Sequence, residues 1–274
     1  MPRTELMRKT MIVGILTFGA LLMVIPYYWM FITSIKPLAE IHTFPPRFYV
    51  VHPTAAPYRD LFHLLPMGRS LFNSLFIATA VTASNMLFCS LAGYAFAKLR
   101  FPGRDGLFLM FICSMMIPWQ VNLIPGFVII QKLGWLNTFK ALIIPNLAGA
   151  FGIFLCRQFI MSIPNDVIEA ARIDGCSEIG IYRNVIIPLM TPALATLAIF
   201  TFLAQWNSFV WPLVVIHSGN MRPVSLTIAV LNGQFGANFA MVMAGAVVVT
   251  LPMILIFLVF QRQFIKGVVL TTLR

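Results

Sequence analysis

Hydropathy along this chain rises and falls on a long period. Apolar runs cover Met11 to about Ser34 and then roughly 71–97, 107–130, 141–160, 189–215 and 239–260. Each is close to the ~20 residues that an α-helix needs to cross a bilayer core. The pattern predicts an all-α polytopic membrane protein, a single transmembrane domain over 1–274 with six transmembrane helices. The first run is too long for a signal-peptide core and lacks a small-residue cleavage site, so it reads as an uncleaved span. Pro26, Pro118, Pro125, Pro145, Pro192, Pro212 and Pro252 fall within or at the ends of these runs. Each removes a backbone donor and frees a carbonyl, which a membrane protein tolerates where neighbouring helices or a watery cavity satisfy it.

Two polar segments interrupt the pattern. Residues 36–69 hold Pro37, Pro45, Pro46, Pro53, Pro57 and Pro66, together with His42, His52 and His63. The histidines are ten or more residues apart with no paired spacing, so the segment reads as a surface loop and not as a metal site. The second segment, 163–188, carries Asp166, Glu169, Asp174 and Glu178, half of the eight acids in the chain. It predicts a helix, a tight turn and a helix. Pro164 and Asp166 suit a first helical turn. Val167, Ala170, Ala171 and Asp174 recur at helical spacing, and Gly175 supplies a left-handed stop. Ser177 is a cap for a second helix, whose expected inward stripe is Ile179, Tyr182, Val185, Ile186 and Leu189, with Pro188 marking entry into the next apolar run.

Composition supports the membrane reading. The chain is 59% hydrophobic and 10% charged, with a mean hydropathy of +0.89, whereas soluble domains carry about 25% charged residues. The 19 Lys and Arg lie in short connections and are not clustered with aromatics, which argues against nucleic acid. Twelve fall on the side of the N-terminus and the acidic helix pair, and seven on the other. The positive-inside rule then puts both termini and the helix pair in the cytoplasm and the 36–69 loop outside. Cys89, Cys113 and Cys156 sit in apolar runs and Cys176 alone in the acidic segment, so no disulfide framework, redox pair or zinc spacing is present.

No GxxxxGK[ST] phosphate loop, HExxH helix or GxSxG elbow occurs, so the chain reads as non-enzymatic, without a cofactor or metal of its own. The acids of the helix pair read as charge-paired or docking groups. None of the eight lies in the middle of a span, which argues against an ion-coupled secondary carrier. The spans hold instead Asn85, Gln120, Asn122, Asn146, Gln205 and Asn207, with Trp119, Trp206 and Trp211 nearby. Amides in lipid need partners, so each either bonds a neighbouring helix or lines a pathway. Amides with aromatics suit an uncharged, hydroxyl-rich solute such as a sugar. A pore with no energy source and a presented helix pair implies an energising partner; a self-sufficient carrier and a membrane scaffold are the rival classes.

Glu169-Ala170-Ala171, three residues, Gly175, nine residues, Val185, one residue, Ile187-Pro188 resembles the EAA loop of ABC-importer permeases, with Val185 and Ile187 as conservative departures. GYAFAKLRFPG from Gly93, MIPWQVNLIP from Met116, LGWLNTFKALIIP from Leu133, QWNSFVWPL from Gln205 and FQRQFIKG from Phe260 extend the likeness over nearly the whole chain. They are similar to the carbohydrate-uptake branch, the second permease of maltose-type systems in bacterial or archaeal cytoplasmic membranes; the terminal VVLTTLR departs from its commoner ending. The resemblance implies a helix pair (163–188) that couples to a cytoplasmic ATPase through Glu169, Ala170, Ala171, Asp174, Gly175, Ser177 and Pro188. It implies a sister permease, two ABC ATPases that bind ATP and Mg, and an external solute-binding protein that meets the 36–69 loop. Gln120, Asn122, Gln205 and Asn207 are the expected pathway residues. Polyols and glycerol phosphate are the alternative solutes within the same class.

Overall fold

The computed structural model describes the backbone of residues 3–272 and the side chains of residue 5, residues 7–258 and residue 261. The FQRQFIKG and VVLTTLR segments therefore lie almost wholly outside the described side chains. The described residues are helical with no strand, and they pack as two compact units.

The first unit comprises the chain up to Met67 together with Thr227–Pro252. Helix α1 (Arg3–Ser34) is apolar from Met11 on, and its most apolar 18-residue window has no residue buried in the protein. An apolar helix with all sides uncovered is a lipid or partner-facing element. The segment that follows is not a slack loop. It forms α2 (Leu38–Ile41) and α3 (Ala56–Leu64) and buries Lys36 and Glu40. Lys36 Nζ donates to the Arg47 carbonyl at 2.5 Å, Tyr28 Oη donates to the Phe48 carbonyl at 2.6 Å, and the Ser34 and Tyr58 hydroxyls meet at 2.7 Å. The prolines limit the unfolded alternatives, and these side chains supply the turns that the backbone cannot bond for itself.

The second unit comprises Gly68–Leu226 and the chain from Met253 on. Helix α4 (Met67–Lys98) is its axis, packed on α8 (Ala150–Met161) through two reciprocal contacts. A Cβ at Gly93 would stand 2.6 Å from Cys156 Cβ and 2.9 Å from the Arg157 backbone nitrogen, and one at Gly152 would stand 2.7 Å from Cys89 Sγ. Glycine and cysteine alternate across the crossing, so the two backbones approach as small residues in membrane helices allow. Cys89, Tyr94 and Phe96 then join Ile153, Cys156 and Ile160 in a core that continues into Ile181, Ile186, Met190 and Leu197.

Two of the expected unbroken spans are broken. The run at 107–130 is α5 (Arg104–Ser114), a 3-10 turn at Trp119–Asn122 and α6 (Leu123–Lys132), with a bend of 93°. Pro118, extended at ψ 130°, has no N–H to continue the first helix. The run at 189–215 is α12 (Thr191–Trp206) and, past a break at Asn207–Phe209, α13 (Val210–Val215). Averaged hydropathy does not register such breaks, because the few polar residues at them, Gln120, Asn122, Asn207 and Ser208, are flanked by long apolar stretches. Among the described residues four helices are long and apolar enough to cross a membrane, and up to six if two bent pairs, Arg104–Ser114 with Trp119–Lys132 (93°) and Glu178–Leu189 with Thr191–Trp206 (78°), each count as one span. Phe139–Met161 is one of the four despite an irregular stretch at 147–149.

Candidate functional site

The acidic segment folds as a locked helix pair. Helix α9 (Asn165–Ile173) ends at Gly175, whose φ of +81° is the left-handed conformation that glycine adopts without a Cβ penalty. Helix α10 (Glu178–Ile181) opens on Ser177, whose Oγ accepts from the Gly180 amide at 3.2 Å. Across the turn Arg172 grips Glu178 Oε1 at 2.8 Å through Nη2 and 2.9 Å through Nε, while Glu178 Oε2 accepts from the Tyr94 hydroxyl at 2.6 Å. Lys98 Nζ donates to the Ile163 carbonyl at 2.6 Å and to Asn165 Oδ1 at 2.7 Å. The end of α4 thus holds both ends of α9. The ion pair is half-exposed and contributes little alone; the tyrosine, which ties it to a membrane-crossing helix, makes it a strut.

Which face the pair buries differs from expectation. Ile168 and Ala171 point inward, whereas Val167 and Ala170 are exposed. In the second helix Ile181 and Ile186 are buried, and Ile179, expected inward, is 79% exposed. A π-helical stretch at Tyr182–Ile186 lets Ile181 and Ile186, five residues apart, share the buried face, which a stripe drawn at 3.6 residues per turn does not anticipate, and Ile179 stays outside that face. Leu189 is exposed beside Pro188. The pair therefore presents Glu169, Ala170, Ile173 (87% exposed), Asp174, Cys176 and Ile179 outward. Periodicity missed the exposed Ile173; it also missed Tyr94, which lies 84 residues from Glu178, and the bond from Arg172 to Glu178, which crosses the Gly175 turn at a six-residue spacing that no single helix presents.

The breaks in the apolar runs bring a second set of residues together. An open cleft of about 610 Å³ is lined by Trp119 and Asn122 from the α5–α6 break, Pro145 and Asn146 ahead of α8, Gln205, Asn207 and Ser208 from the end of α12, and Trp211 from α13. Of the expected pathway residues, Asn122, Gln205 and Asn207 reach it, and Gln120 is exposed elsewhere. Trp206 is buried and stacks on Phe202. Trp211 anchors the wall by donating Nε1 to the Ala141 carbonyl at 2.8 Å. Asn146 and Ser208 complete the lining, which includes no ionisable side chain. Neutral amides beside indole faces bind hydroxyl groups by hydrogen bonding and stacking; they offer no counter-charge to an anion.

An all-helical membrane bundle with a strutted helix pair at one site and an uncharged cleft at another is the permease subunit of an ABC importer. Residues 86–269 match the family described as binding-protein-dependent transport system inner membrane component, and the chain belongs to that family. It is 38% identical, over 71% of this chain and 70% of the relative, to the arabinooligosaccharides transport system permease protein AraQ of Halalkalibacterium halodurans. It is 31% identical, over 93% and 92%, to the lactose transport system permease protein LacG of Rhizobium radiobacter. The sn-glycerol-3-phosphate transport system permease protein UgpE of Pectobacterium atrosepticum is 34% identical over 74% of this chain and 73% of that protein. In fold, a chain of a bacterial ABC transporter involved in the import of the acidic polysaccharide alginate superposes with a TM-score of 0.83 at 24% identity, over 96% of this chain and 98% of that one. As a permease subunit of the inner membrane the chain is non-catalytic.

Proposed function

We propose that this permease forms half of the import pathway for a neutral sugar or oligosaccharide and is driven by a cytoplasmic ATPase seated on the helix pair. The observation that carries the coupling role is the exposure of Ile173 and Ile179 on either side of the Gly175 turn. Two large apolar side chains on a rigidly braced cytoplasmic loop mark an interface, and burying each in a partner is worth roughly 1.5–3 kcal/mol. Glu169, which meets no partner among the described residues, would pair with a basic group there. Ala170 would permit close approach, Ala171 would pack the pair on the bundle, and Asp174, Ser177 and Pro188 would shape its ends. ATP and Mg belong to the ATPase, two copies of which would close and move the pair as a lever. A sister permease would complete the pathway, and an external binding protein would deliver solute to the ordered 36–66 region. The names of the relatives span neutral saccharides and an anionic glycerol phosphate. The uncharged cleft lining supports the neutral class, with Asn122, Gln205 and Asn207 as solute contacts.

The test is copurification of the gently solubilised complex with mass identification of its subunits. An ATPase and a second, different permease are expected with the wild-type chain. Ile173→Glu with Ile179→Glu, or Glu169→Lys, is expected to cut ATPase recovery at least about tenfold, the effect of losing ~1.4 kcal/mol. Full ATPase recovery and normal ATP-driven uptake in all these variants would sink the assignment.

A further inference from the structure

Asn85 lies in mid-α4, is 5% exposed and does not line the cleft. Its Nδ2 donates to the Asn146 carbonyl at 2.7 Å and to its own helix at Val81 at 3.0 Å, and its Oδ1 accepts from the Gly149 amide at 3.0 Å. One side chain thereby satisfies a backbone acceptor before the irregular stretch at 147–149 and a backbone donor after it. In the membrane interior such groups have no water to turn to, and an unmade bond there costs as much as a buried unsatisfied polar group. Cys89 Sγ also donates to the same Oδ1, at 3.5 Å. Asn146, whose carbonyl the clamp holds, carries a side chain on the cleft wall. Its Nδ2 turns back to the Leu142 carbonyl at 2.9 Å, which leaves Oδ1 to accept from a solute hydroxyl.

We infer that Asn85 is a positioning residue for solute recognition. It closes the break ahead of α8 and so fixes Asn146 on the cleft wall, where Asn146 accepts a hydrogen bond from a hydroxyl of a neutral sugar. This rests on the reading of the cleft as the solute pathway. The amide is required at both ends, since no other residue type of similar size donates and accepts in opposite directions from one plane.

The test is uptake by the full complex in proteoliposomes, with a neutral oligosaccharide presented by its binding protein, for wild type, Asn85→Leu, Asn146→Ala and the double variant. Each single substitution is expected to raise KM about tenfold while maximal uptake and ATP hydrolysis stay within about twofold, one hydrogen bond's worth of binding. Because the two residues act as a unit, the double variant should be no worse than the weaker single. Should Asn85→Leu fail to assemble, Asn85→Asp carries the test: it keeps the acceptor for Gly149 and loses the donor to Asn146. Additive effects in the double variant, or a fall in maximal uptake with KM unchanged, would overturn the inference and leave the sugar reading standing. No uptake of any neutral oligosaccharide by the wild-type complex would overturn the sugar reading and this inference with it.

Discussion

Glu40 shows how a single buried carboxylate orders a proline-rich segment. It accepts from the Val51 amide at 2.9 Å and the His52 amide at 3.4 Å, closing an 11-residue excursion. Donation from Val51 above all holds its carboxyl below the ordinary carboxylate range against the opposing effect of burial, with His52 and Lys36 adding to the depression. A folded pKa below the unfolded one gives stability that is present above the unfolded value and lost as pH falls through the folded value. The protection of the Val51 and His52 amides, taken as exchange relative to the intrinsic rate at each pH, is therefore expected to be high at neutral pH and to fall as pH drops through and beneath the usual carboxylate range. Glu40→Leu should abolish the protection at every pH. Protection unchanged by either would remove Glu40 from this role. The proline and histidine content of the segment gave no hint of it, because the partners are backbone amides that sequence cannot single out.

At the scale of elements, the crossing of α4 and α8 leaves no room for a Cβ at Gly93 or at Gly152. Gly93→Ala would drive a methyl into Cys156 and the Arg157 backbone, whereas at Gly106 the space around an added Cβ is open. Backbone cannot yield as a side-chain tip can, so overpacking should cost about 1–3 kcal/mol at Gly93 and close to nothing at Gly106. Thermal melting of the purified complex is the measurement; equal midpoints for Gly93→Ala and Gly106→Ala would show that the helices are free to separate. The crossing matters for function because Asn85, Cys89, Gly93, Tyr94 and Lys98 share α4. The helix that fixes the cleft wall at one level also braces the coupling pair at another.

For the whole molecule, energy has to come from outside the chain. No acidic residue among those described lies in mid-span, where ion-coupled carriers place their ionisable groups. Proteoliposomes holding the assembled complex are expected to accumulate solute when ATP and binding protein are supplied. With ATP withheld they should accumulate none under an imposed proton or sodium gradient. Accumulation driven by either gradient alone would contradict this reading. The class of protein, its helical architecture and the position of the helix pair were legible from hydropathy, charge and the EAA spacing. All three depend on residue type at fixed intervals, which folding does not alter.

What the sequence by itself determined is therefore periodic or local: apolar runs of bilayer length, the cap at Ser177, the left-handed turn at Gly175 and the concentration of acids between two spans. The tertiary structure decided what depends on register and on distant partners. A π-helical turn at Tyr182–Ile186 brought Ile181 and Ile186, five residues apart, to one buried face and left Ile179 outside it, against a stripe drawn at constant pitch. A 93° bend ahead of Trp119 and a break at Asn207–Phe209 interrupted two apolar runs, and Trp119, Asn122, Asn146 and Ser208 meet at one cleft that leaves Gln120 out. Asn85 and Asn146 were visible as amides in apolar runs, but that one holds the other follows only from the 2.7 Å between them. A hydrogen bond across 61 residues is a fact of packing, and hydropathy carries no record of it.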